Sequence, residues 1–293
     1  MGLTSTKIVK VASGIGDILW IIQKLGNTRE KFHWRIAGDN PKRGAQIFDL
    51  LPQTVETVMY DSFTGGTALA NNIQNNFNSW ERISNHGDFF LTINQHFEAR
   101  PCGWFKDWLP DLPITYYPNY QIASTYKAEA EALLNDPDAQ YVLCYGSSVG
   151  GARAWGAWQS EEWFMFIKSI RDSYKNVIPV IVGASWDSDM ASRLMTMLDT
   201  NGIPYKKMMG LNLATVVQAM KIAKYGVYFP SGLGIIAGTL GVRATMWYPT
   251  HLETMAGKWC DPRLTKERIF CEMLMPSPTG MKSHIDSLGV LKK

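Results

Sequence analysis

The sequence predicts an α/β protein of two doubly wound domains facing each other across a cleft. Three observations carry this expectation. Apolar, β-rich runs alternate with segments of helical apolar spacing along most of the chain. Small-residue turns stand where such runs give way to helices, at Gly14-Ile15-Gly16, after Tyr145 and at Ser231-Gly232. The chain has 293 residues, near the upper limit for one hydrophobic core, so two domains of about 100–150 residues are expected.

The first domain is placed at 1–122. Strands are predicted at 7–13, 33–38, 55–60 and 88–93, with helices at 15–26, ending at Gly26, and at 41–51, where Pro41 suits a first turn. Residues 61–85 are polar and Asn-rich and read as a loop with a short helix. Residues 100–121 hold four prolines and read as irregular.

The second domain is placed at 123–293. Its expected strands are 140–146, 177–183, 225–230 and 243–249. Its expected helices are 124–136 (N-cap Ser124), 160–174 (N-cap Ser160), 188–202, 212–224 (N-cap Asn212) and 232–241. Residues 264–293 read as a helix, a Pro-Ser-Pro turn and a short amphipathic end. Strands joined by crossover helices form parallel sheets, and such sheets bind ligands beyond their carboxyl ends.

Composition narrows the function classes. Hydrophobic residues make up 46% and charged residues 19%, which suits a compact soluble protein placed in the cytoplasm. Eleven tryptophans, twelve tyrosines and twelve phenylalanines can fill cores and line clefts for sugars and bases. A net charge of +3 neither demands nor excludes nucleic acid, and Arg82, Arg100 and Lys106 add little to that case. The cysteines, Cys102, Cys144, Cys260 and Cys271, lack metal-type spacing and read as reduced thiols. Gly2 and Thr6 fit a short lipidation pattern. Neither a secretion signal nor a membrane span is expected.

Four constellations are candidates for chemistry. At Gly14-Ile15-Gly16-Asp17, Leu19 breaks a dinucleotide fingerprint, and Asp17 suits either a helix start or a reaction. In residues 144–163, Arg153 lies in a small-residue loop and suits a phosphate or a surface. In residues 181–194, Trp186 suits stacking on a base. Asp187 suits a ribose, and capping by Asp187 or Ser188 serves equally. In residues 227–241, Ser231-Gly232 opens a glycine-rich helix, which suits a diphosphate or close packing on a sheet. His86 and His96 flank the fourth strand. With no zinc-protease, nucleophile-elbow or metal-cluster pattern, the expectation is metal-independent chemistry or binding.

Taken in order, these segments resemble the heptosyltransferase-like, family 9-like GT-B glycosyltransferases. "GIGDILW" looks like that family's GxGDxL segment, and "ARAWGAWQSEEW" like its basic-x-Trp-Pro segment, with Arg153 at the basic position and Gly156 where proline is usual. The stretch from Asn212 to Thr250 resembles its donor segment, with Pro230 and Ile235 where that family has aspartate and histidine. The resemblance implies two Rossmann-like domains and an inverting transfer that uses a nucleotide-sugar co-substrate and no cofactor. It makes Asp17 the general base and sets the Gly14 and Gly16 backbone beside the acceptor. Arg153, Trp186, Asp187, Ser231 and Gly232 would hold the donor. A surface glycan or lipopolysaccharide is the expected acceptor. A hydroxymethylated DNA base, a GT-B-shelled binder without catalysis and an epimerase-like sugar-phosphate enzyme are the alternatives. In such folds the tail often crosses back to the first domain.

Overall fold

The computed structural model describes residues 6–12, 14–25, 31–37, 41–60, 115–146, 157–248 and 260–293. Its contacts divide the chain into two compact units, Met1–Ile122 and Ala123–Lys293. The expected elements at 61–85 and 88–93, His86, His96, Cys102 and Arg153 lie outside the described residues.

In the first unit, β1 (Thr6–Ala12), β2 (Lys31–Ala37) and β3 (Thr54–Tyr60) form a parallel sheet in that order. Helix α1 (Ile15–Leu25) buries Ile18, Ile21, Ile22 and Leu25, a spacing that gives a helix one apolar face. Alternate residues of β2, Phe32, Trp34 and Ile36, are buried on the period of a strand. Trp34 stacks on Phe48, at the end of α2 (Pro41–Phe48), with centroids 4.1 Å apart. The Trp34 indole N–H donates to Thr54 Oγ1 at 3.0 Å, and that hydroxyl donates to the Phe48 carbonyl at 2.6 Å. Residues 115–122 are irregular and close on this core: Thr115 N–H donates to Gln23 O at 2.5 Å and Gln121 N–H to Leu50 O at 2.7 Å.

The second unit is a six-stranded parallel sheet in the order β6-β5-β4-β7-β8-β9. Its strands are β4 (Gln140–Tyr145), β5 (Val177–Gly183), β6 (Lys206–Met209), β7 (Tyr225–Tyr228), β8 (Ala244–Tyr248) and β9 (Phe270–Leu274). Every residue of central β4 is buried, as expected of a strand covered on both faces. One face carries α4 (Ser160–Ser173), α5 (Ser188–Thr200) and α9 (Pro278–Leu288) over Trp163, Phe166, Leu194, Trp247 and Met281. The remaining helices are α3 (Ser124–Leu133), α6 (Leu213–Ile222), α7 (Gly232–Leu240) and α8 (Pro262–Lys266).

Several expectations are corrected. The segment read as one helix from 264 is instead short α8 followed by β9. Pro262 starts α8 behind the Asp261 cap, and Arg268, at φ 56°, turns the chain into a strand paired with β8. β6 escapes the sequence because its four residues, Lys-Lys-Met-Met, form a short edge. The caps of α3 and α4 are Ala123 and Gln159, one residue earlier than expected. Gln159 N–H donates to Glu162 Oε2 at 2.9 Å, half of a capping box, which frees Ser160 Oγ to tie α4 to the Met190 carbonyl at 2.9 Å. The Asn212 side chain does cap α6, accepting from Ala214 N–H.

The tail packs within its own unit. Lys292 pairs through both its N–H and its carbonyl with the Gln140 side-chain amide, each at 2.6 Å. Among the described residues, no helix is long and apolar enough to cross a membrane.

Candidate functional site

The strand order of the second unit fixes where a ligand belongs. From β4 the chain winds outward through β5 to β6, and from β7 in the opposite direction through β8 to β9. The reversal leaves a crevice beyond the carboxyl ends of β4 and β7. Two predicted constellations arrive there. β4 ends at Tyr145 and leads into Gly146, the last described residue before the Arg153 segment. β7 leads through Phe229 and Pro230 to Ser231-Gly232. Phe229 N–H donates to Tyr145 O at 2.8 Å, so the two strand ends stay paired to the edge of the crevice.

Ser231 is the N-cap of α7, and its carbonyl receives Ile235 N–H at 3.1 Å. Its hydroxyl makes no capping bond, and among the described residues the buried Oγ has no hydrogen-bond partner. A serine N-cap ordinarily accepts from the second or third N–H of its helix. Here the first turn lacks that acceptor, and a buried hydroxyl beside it carries an unmet hydrogen bond. Together they suit an anion held by backbone N–H groups at the positive end of the helix.

The alternative of close packing holds for the same motif, at the glycines that follow within α7. A Cβ on Gly234 would lie 2.5 Å from Met246 Sδ and 3.1 Å from Phe229 O, and one on Gly238 would lie 3.0 Å from Cys260 Cβ. Those glycines seat α7 on the sheet. Ile235, where the resembling family has histidine, is 2% exposed and belongs to the core.

Beside this crevice, a Cβ on Gly146 would meet Trp163 Nε1 at 2.3 Å, so only glycine lets the indole lie under the end of β4. Burial pushes the Cys144 thiol and the Tyr228 phenol well above their ordinary values, so both are neutral.

The ends of β5 and β6 are joined by Gly210 N–H donating to Gly183 O at 2.9 Å. The turn Ser185–Asp187 follows. Asp187 is 3% exposed, and its Oδ2 accepts Ala184 N–H at 2.7 Å, so the carboxylate holds its own turn. Trp186 sits in the middle of that turn. In the first unit, Gly14 precedes α1 at the carboxyl end of β1 and is exposed, and its carbonyl accepts Ile18 N–H at 3.0 Å. Gly16 and Asp17 are the second and third residues of α1, in its first turn.

Sequence reasoning missed the Gly146–Trp163 contact and the Gly183–Gly210 bridge. The glycine at the end of each strand was the available signal. It also missed the Tyr248 hydroxyl bonded to the Glu272 carboxylate across β8 and β9, for which the sequence carries no signal.

Two parallel α/β units, the second wound in both directions from a switch point that carries a helix start, match the GT-B class of fold. The chain is similar in structure to a family 9 glycosyl transferase from Veillonella parvula, with a TM-score of 0.63 and 12% identity over 99% of this chain and 90% of that one. It is similarly like the E. coli ADP-heptose lipopolysaccharide heptosyltransferase II, with a TM-score of 0.63 and 12% identity over 96% and 98%. A Listeria monocytogenes protein assigned as a UDP-N-acetylglucosamine 2-epimerase matches at 0.53 and 12% identity over 98% and 88%. These likenesses are of fold. No protein-family model and no curated protein sequence matches the chain.

Proposed function

We propose that this protein is an inverting, metal-independent glycosyltransferase of the cytoplasm, which moves a sugar from a nucleotide-sugar to an acceptor hydroxyl of a surface glycan or lipopolysaccharide. The observation that carries the reading is the buried Ser231 hydroxyl, unpartnered among the described residues, at the uncapped start of α7 in the crevice of a GT-B fold. That likeness includes the E. coli heptosyltransferase, whose donor is ADP-heptose.

In this reading the second unit holds the donor. Ser231 and the Gly232 N–H receive the diphosphate, Arg153 supplies the cation, and Asp187 shapes the turn that brings Trp186 to the nucleoside. The first unit holds the acceptor against the Gly14 and Gly16 backbone. Asp17 accepts the hydroxyl proton as that oxygen attacks the anomeric carbon, and the diphosphate leaves with the bonding electrons from the opposite face. Charge developing on the diphosphate is met by N–H groups already in place, which lowers the barrier without reorganisation.

The test is a thermal-shift screen against ADP-, GDP-, UDP- and CDP-sugars, followed by transfer assays on lipopolysaccharide cores and on hydroxymethylated DNA. One donor should stabilise the fold. Asp17→Asn should lower transfer by about 10²–10⁴-fold with donor affinity unchanged. Ser231→Ala and Arg153→Ala should each weaken a nucleoside diphosphate more than the bare nucleoside, Ser231→Ala by roughly 2–10-fold. Silence against all four donors refutes the donor site. A bound donor isomerised without an acceptor makes the protein an epimerase. A donor bound but never turned over makes it a binding protein.

A further inference from the structure

Three hydrogen-bonding side chains run through the amino-terminal half of the second unit's sheet, away from the crevice. Tyr225 opens β7, Thr245 is the second residue of β8, and His284 lies on α9. The Tyr225 hydroxyl is 2.6 Å from Thr245 Oγ1, which is 3.1 Å from His284 Nε2. Tyr225 is 1% exposed and Thr245 0%, so neither hydroxyl can turn to water.

Counting hydrogens fixes the direction of this chain. With a neutral imidazole protonated on Nδ1, Tyr225 donates to Thr245, Thr245 donates to Nε2, and both buried hydroxyl protons have an acceptor. A protonated imidazole carries N–H on both nitrogens. Nε2 then donates to Thr245, and one buried hydroxyl proton, that of Thr245 or that of Tyr225, has no acceptor left in the chain.

We propose that the Tyr225–Thr245–His284 chain is a proton-sensitive latch: neutral His284 holds α9 to the sheet, and protonation of Nε2 loosens it.

The surrounding groups point the same way. The guanidinium of Arg268, in the turn before β9, donates to Ser287 Oγ at 2.9 Å, and Ser287 donates to the His284 carbonyl at 2.7 Å. Burial first, and then this nearby cation, hold the imidazole below its ordinary 6.5. Arg243, Arg268 and Cys271 face Tyr225, but burial dominates and keeps its phenol neutral. On α9 itself, Asp286 is taken by Lys282 at 2.5 Å and by Tyr174, the C-cap of α4, at 2.7 Å, so it is turned to those two groups.

The latch has reach because α9 ties both ends of the sheet. Just before the helix, Pro276 O accepts the Trp158 indole N–H at 2.9 Å and Met275 N–H donates to Tyr248 O at 2.6 Å. Just after it, Lys292 is held by Gln140. None of this depends on the transferase reading.

The sign follows from linkage. A histidine whose folded-state value lies below its unfolded 6.5 contributes stability that is complete above 6.5, and loses it as the pH falls from there through the folded-state midpoint. The experiment is imidazole ¹⁵N NMR with hydrogen exchange on the whole chain from pH 8 to 5. Near neutrality His284 should carry its proton on Nδ1, and it should titrate below 6.5. Protection of α9, corrected for intrinsic rate, should fall by up to about tenfold per pH unit over that window while α6 keeps its protection. His284→Gln should flatten this dependence. An Nε2-protonated tautomer, a midpoint at or above 6.5, or α9 protection that follows α6 at every pH would overturn the latch. The wild-type spectra decide the matter even where His284→Gln fails to fold.

Discussion

Gly234→Ala separates the seat of α7 from its open start. An alanine in place of glycine within a helix stabilises by about 1 kcal/mol through lost unfolded-state freedom. Against this stands overpacking. The new Cβ would lie 2.5 Å from Met246 Sδ and 3.1 Å from the Phe229 carbonyl. Met246 is 0% exposed and has nowhere to swing, and Phe229 O is backbone at the end of β7. Overpacking in such a site costs about 1–3 kcal/mol, so the variant should lose up to ~2 kcal/mol net. Gly238→Ala is the internal control. Its one close contact is Cys260 Cβ at 3.0 Å, with the next atoms at 3.7 Å, so the two terms should nearly cancel. Urea midpoints with unchanged slopes measure both. Since α7 must lift at its first turn, Gly234→Ala should also weaken the donor that the thermal-shift screen selects. A Gly234→Ala protein as stable as wild type, or Gly238→Ala as the more damaging of the pair, would refute the described seating of α7.

Two further outcomes concern the tail and α9. Gln140→Leu removes both bonds to the Lys292 backbone and the bond to Asn176. Lys292 is exposed, so its freed groups meet water, and the urea-derived stability should fall by about 0.5–1.5 kcal/mol; an unchanged midpoint would show that water replaces the amide fully. Burial pushes the Asp286 carboxyl up, but the bonds from Lys282 and Tyr174 outweigh it and hold the group below 3.8. Its contribution is therefore complete above 3.8 and lost as the pH falls through the folded-state value. The group is largely solvated, so Asp286→Asn should cost under about 1 kcal/mol at neutral pH and nothing once both states are protonated, which acid-titrated thermal melts would detect.

Period and punctuation made most of the second unit legible. The strand 177–183 was placed to the residue, because Val-Ile-Pro-Val-Ile-Val is an apolar run too short for a helix and ends at a glycine. β9 was misread because Phe270-Cys271-Glu272-Met273-Leu274 carries no alternation in its residue types, although its pairing with β8 makes it a strand. Tertiary pairing overrode a weak local signal. The caps of α3 and α4 slipped by one because serine is the commoner cap, whereas Glu162 recruited the backbone of Gln159 instead. The position of Ser231-Gly232 at the start of a helix was readable from composition. Its position at the switch point was not, because strand order is a property of the whole sheet. Nor did the sequence reveal that Ser231 leaves its own helix uncapped, since that depends on a side-chain direction.

The strand order also bears on how the second unit comes together. β4 finds β5 after α4 among the described elements, whereas its other neighbour, β7, arrives only after β5, α5, β6 and α6 have been laid down. Closing the longer loop costs more chain entropy and depends on contacts of high sequence separation, which slow folding. The seam that joins the two halves of the sheet therefore forms late, and its upper end is where Phe229 meets Tyr145. Any intermediate in which the halves have formed but not met lacks the crevice altogether. A ligand that fits it acts as a clasp on the seam, resisting the one separation that would split the sheet in two.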